Sequence, residues 1–228
     1  MSEFNLALRL APGKPPIERM HLLAEWLQWW FGPATRPSSA RVSPSPELPE
    51  TLRALYALYP DAPEACQQNV LASPPDLAVE SGQLLFAYEN QGVYLWGTAP
   101  SGLDPPVFGR WERSDPWKPD VPQLSLFLIQ FFLFEAAIAA RLNASAADLG
   151  ERDLRALHRS VTPLDMPPWH WPAYPTTFHV HGGAILVTSP NDDGWSVFVG
   201  GKTPTDMEFL KNHVNDHWEC ADLGSSAG

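Results

Sequence analysis

Leu124–Ala140, LSLFLIQFFLFEAAIAA, limits the folds open to this chain more than any other stretch. It is apolar on every side, and a helix of that kind must be enclosed either by lipid or by the rest of the protein. A bilayer core about 30 Å thick calls for about 20 apolar residues. This run is short for that, and Gln130 and Glu135 interrupt it. The expectation is a helix over 124–141 buried at the centre of the fold and lying across a sheet. No membrane span is expected.

The sheet comes from Gly82–Gly97, GQLLFAYENQGVYLWG. Two apolar runs, Leu84–Tyr88 and Val93–Trp96, flank the polar turn Glu89-Asn90-Gln91-Gly92, which is the pattern of paired strands. Asn and Gly take positive φ cheaply, so a hairpin asks for them whatever its function. Both faces of the first strand are apolar, as in a strand covered on each side. Trp96, next to Gly97, reads as core. Pro105–Trp111 reads as a third strand whose prolines suit its start or an edge.

Around this centre the chain divides into an N-terminal helical segment at 1–31, a Pro/Ser-rich linker at 32–46, one domain at 47–222 and a tail at 223–228. Pro15 and Pro16 open the first helix, in which Leu22, Leu23, Trp26, Leu27 and Trp30 form one stripe. A second helix runs over Pro49–Tyr59 and a short one over Asp148–His158. Gly182-Gly183 predicts a hairpin between Thr177–His181 and Ala184–Thr188, and Asn191–Gly194 turns the chain into Trp195–Val199. The spacing of Met207, Leu210, Val214 and Trp218 predicts a final helix capped by Thr203 or Thr205. These later strands extend or accompany the first sheet. The fold class is α+β, an antiparallel-dominated sheet packed by helices with an N-terminal helical appendage.

The order LPETLRALYALYP, a Gln-Asn pair, LLFAYENQGVYLWG, DPPV, a Trp and LSLFLIQFFLFEA, over roughly Glu47–Arg141, resembles the SUKH superfamily. Its members are bacterial immunity proteins and relatives of fungal cell-wall-synthesis regulators. The resemblance implies a SUKH-like domain that binds another protein and performs no chemistry. For an immunity protein the partner is a cognate toxin, often a basic nuclease, neutralised by surface complementarity. The alternatives are a non-enzymatic regulator or scaffold of the same fold and, third, a metal-dependent hydrolase.

The charge suits a basic partner. The net charge of −11 sits in two windows: Glu47–Glu89, with seven acids against Arg53, and Asp192–Asp222, with seven acids against Lys202 and Lys211. Such a chain is repelled by nucleic acid and anionic membrane. The partner-binding candidates are the turn residues Glu89, Asn90 and Gln91, then Asp104, and Asp192 and Asp193 of the later turn. No phosphate-binding loop, GxSxG elbow or cysteine motif is present. His179/His181 and His213/His217 have metal-like spacing, but further ligands are not evident and HVNDH lacks the glutamate of HExxH. No metal, cofactor or catalytic residue is expected. The N-terminus lacks a basic start followed by an apolar core, and Cys66 and Cys220 sit in no redox spacing. Both features point to a cytoplasmic chain with free thiols.

Overall fold

The structure is a computed structural model that describes residues 13–35 and 48–221. The stretch 1–12, Glu47, most of the expected linker and the 223–228 tail lie outside the described residues. Where the sequence suggests one domain with an appendage, the described chain packs as two compact units, 13–135 and 136–221, and the first helix belongs to the first unit. Each unit has its own antiparallel sheet, which gives the expected α+β class with two sheets in place of one.

In the first unit, helix α1 (Pro16–Phe31) packs on α2 (Glu50–Leu58) through the stripe that includes Leu23, Trp26 and Leu27. The strands are β1 (Asn69–Leu71), β2 (Ala78–Glu80), β3 (Gln83–Glu89), β4 (Leu95–Thr98), β5 (Val107–Arg110) and β6 (Lys118–Pro119). Their order is β1-β3-β4-β5-β6, with β2 pairing the other half of the β3 edge. Helix α3 (Leu124–Ala139) contributes its residues up to Glu135 to this unit. Phe127 of α3 meets Phe86 edge-on at 5.3 Å and Trp96 at 5.6 Å, so both hairpin strands send an aromatic ring into the helix. The buried Trp96 is core, as its place beside Gly97 suggests.

Two polar devices hold α3 in this apolar setting. At its start, Asp104 accepts hydrogen bonds from the Ser125 amide and hydroxyl, both at 2.7 Å. The buried Arg19 of α1 donates to Gln123 at 2.9 Å and Ser125 at 2.7 Å, and lies 3.7 Å from the Asp104 carboxylate. Nearer its end, Glu135 has 0% exposure. Its carboxylate accepts the Gln67, Gln68 and Asn69 amides at 2.6, 2.8 and 2.9 Å, and the Asn69 side chain at 2.7 Å. Burial pushes this carboxyl above its ordinary range, while the four donated hydrogen bonds pull the other way. The two residues that spoil a membrane span are both buried, and among the described residues no helix is long and apolar enough to cross a membrane.

The second unit is a six-stranded sheet in the order β12-β7-β11-β10-β9-β8. The strands are β7 (Leu142–Leu149), β8 (Thr162–Pro163), β9 (Thr177–His181), β10 (Ala184–Asn191), β11 (Gly194–Gly201) and β12 (Trp218–Ala221). The Thr177–Gly201 meander forms on the predicted turns. The central β7, however, is alanine-rich and unforeseen. Its inward side chains, Leu142, Ala144 and Ala146, join Leu154 and Leu157 of α4 (Glu151–His158) in one core. Small residues also suit close packing here: a Cβ on Gly200 of β11 would lie 2.7 Å from the Ala137 carbonyl oxygen.

The expected helix from Thr203 to Trp218 stops after one turn. Thr203 does cap it, in a capping box with Asp206, but α5 covers only Pro204–Met207 before a 3₁₀ segment, Glu208–Asn212. Asn215 then accepts the His217 amide at 3.0 Å, a local bond that competes with helix. Trp218–Ala221 pairs with β7 as an edge strand.

Removing the Glu135 carboxylate leaves four donors without their acceptor, of which the Asn69 amide and side chain are buried. At about 1–3 kcal/mol for each unsatisfied buried group, Glu135→Ala is expected to cost several kcal/mol in chemical denaturation. A loss under about 1 kcal/mol means that these hydrogen bonds do not hold the unit together.

Candidate interaction surface

One end of the first sheet gathers the β3–β4 turn, the start of β1 and the segment after β5. Glu89, expected at the exposed tip, is instead 3% exposed. Its carboxylate turns back to accept the Gln91 amide at 2.8 Å and approaches the Val93 amide at 3.5 Å. The Gly92 amide bonds the Glu89 carbonyl at 2.7 Å, and Gly92 takes φ +74°, which favours glycine. Glu89 therefore builds the turn from inside and does not present its carboxylate to solvent. Asn90 and Gln91 are exposed.

Beside them the surface is apolar. Val93 is 45% exposed and Trp111, the residue after β5, is 51% exposed. Trp111 stands edge-on to Tyr94 at 5.0 Å, and Tyr94 packs 5.0 Å from Trp96. A chain of rings therefore runs from the core to the surface. The loop carrying Trp111 is tied down by charge: buried Arg110 pairs with Glu80 at 2.8 Å and donates to the Arg113 carbonyl at 2.8 Å. Its guanidinium lies 4.1 Å from the centre of the Trp117 ring, and Arg113 also reaches Glu80, at 3.0 Å. Sequence reading missed Trp111; the signal available was an aromatic residue among the charges of Arg110–Arg113, just past a strand.

The other candidates divide. The Asp104 side chain is nearly enclosed at the start of α3, where the Ser125 amide and hydroxyl and Arg19 occupy its carboxylate. Asp192 and Asp193 are exposed on the β10–β11 turn of the second unit, where the Asp193 amide bonds Asn191 at 3.0 Å. The acidic window 47–89 is thinner than its composition suggests: Glu89 is internal and Glu80 is shared by two arginines, leaving Glu50, Glu64 and Asp76 exposed.

The histidines pair differently from their spacing. His181 bonds the Ser160 carbonyl at 2.7 Å and stacks on Phe209 at 4.6 Å. His213 and His217 share no helix. Among the described residues no group of three His, Cys, Asp or Glu could hold a metal ion. His179 instead stacks on His158 at 4.2 Å, a partner that sequence spacing could not reveal because it sits on α4. Cys66 is a free thiol whose pKa burial pushes well up, away from nucleophilic reactivity.

His179 is 7% exposed, and desolvation, then the neighbouring His158, lowers its pKa from 6.5 to about 4. The folded value lies below the unfolded one, so the unfolded chain takes up the proton first as pH falls. This stability is full above pH 6.5 and is lost as pH falls towards 4. The loss is on the order of 3 kcal/mol at most. His179→Phe should flatten the acid slope of unfolding free energy between those limits. An unchanged slope would place the acid sensitivity elsewhere.

Compared with known proteins, the chain matches no family model, no curated protein and no solved structure, so its function rests on its own residues.

Proposed function

We propose that this chain is a cytoplasmic immunity protein that binds and neutralises a cognate toxin, a basic nuclease, without catalysis of its own. The contact face is the end of the first sheet: Asn90, Gln91, Val93 and Trp111. The observation that carries the reading is a tryptophan half exposed on a fixed support. Tryptophan is enriched among residues that dominate binding energy. A side chain already ordered before binding costs little to immobilise. The sequence resemblance supports a protein partner and a non-catalytic role. Glu112, exposed beside Trp111, and the remaining acids Glu50 and Glu64 suit a basic surface.

The test is co-expression with the toxic domain of a secreted protein encoded beside this chain, followed by binding of the purified pair. The chain should rescue growth, and Trp111→Ala should weaken binding by roughly 30-fold or more, the effect of a hot-spot residue. The loss should appear mainly in the dissociation rate. Replacing Asp192 and Asp193 by Asn should change only the salt dependence of association. Failure to bind, or full affinity in the Trp111 variant, contradicts the proposal.

A further inference from the structure

The second unit contains a cavity of about 340 Å³ beside the stacked histidines. Leu164, Met166, Phe178 and Trp195 line it together with both imidazoles, at the lower end of the size range of small-molecule sites. The His158 Nε2 and His179 Nδ1 atoms are buried and have no hydrogen-bond partner among the described residues. Polar atoms left so in a native fold call for an explanation, and a bound ligand is one.

We propose that this cavity binds a small uncharged aromatic alcohol of the phenol class, with its ring against the apolar lining and its hydroxyl on the histidine pair. Each neutral imidazole offers one donor and one acceptor nitrogen, and a hydroxyl both donates and accepts. The charged alternatives fit less well. Burial disfavours protonation of both rings, so they offer an anion no positive charge. Glu151, which accepts the Trp195 indole N–H at 2.9 Å, adds negative charge beside the lining. A metal ion would lack a third His, Cys, Asp or Glu ligand among the described residues.

The experiment follows the imidazole ¹⁵N signals during separate titrations with 4-methylphenol, toluene, 4-methylbenzoate and zinc. His170, stacked on Tyr174 at 4.5 Å, serves as internal reference. Saturable shifts of His158 and His179 are expected with 4-methylphenol, with affinity roughly ten-fold or more above that of toluene, the scale of one buried hydrogen bond. His179→Phe should bring 4-methylphenol down to the affinity of toluene. Should that variant not fold, the ranking of the four probes on the wild type decides alone. Toluene or 4-methylbenzoate binding as well as 4-methylphenol, no saturable shift with any probe, or stoichiometric zinc on the two rings overturns the proposal.

Discussion

The carboxylate of Glu135, held by three consecutive backbone amides, is the contact on which the first unit depends. A helix as apolar as α3 can slide or rotate against a sheet with little change in hydrophobic burial, because that force is not directional. Hydrogen bonds to Gln67, Gln68 and Asn69 remove this freedom. They also position β1, whose Asn69 lies opposite Glu89 in the β1–β3 register. Glu89 then closes the turn from inside. Two buried acids in sequence, one on the helix and one on the strand, thus carry order from the core to the tip.

This order reaches the surface at the end of the sheet. The tip and the segment after β5 converge because β4 pairs with β5, Leu95 opposite Arg110. Tyr94 fits over Gly109, where a Cβ would collide with the phenol ring, and stands edge-on to Trp111. Of the charged groups nearby, Arg110 and Arg113 both pair with Glu80, while Glu112 stays exposed. This face therefore carries a half-exposed aromatic ring on a fixed support, with the exposed Asn90, Gln91 and Glu112 on neighbouring segments.

Much of the frame was legible in the residues. The apolar helix, the hairpin around Asn90-Gly92 and the Gly182-Gly183 meander each follow from local pattern, and local pattern decides such elements. The errors share a cause in long-range contacts. Strand β7 is built from Ala, Asn and Ser, poor strand formers that are pinned between β11 and β12. The 3.6-residue spacing near the C-terminal end is real, yet Trp218 pairs with Ala146 of β7 as a strand. An acid in a turn looks solvated, and nothing in ENQG shows that Glu89 turns inward. His158 and Trp111 gained significance only from neighbours brought to them by folding.

The most direct measurement of this account is amide hydrogen exchange on the free chain, residue by residue. If buried carboxylates order the tip in advance of any partner, the Gln91 and Gly92 amides exchange slowly despite lying in a surface turn. Those of Gln67, Gln68 and Asn69 then exchange only with opening of the whole first unit. Exchange of Gln91 and Gly92 at the rate of unstructured chain, with Gln67–Asn69 opening independently, would contradict it.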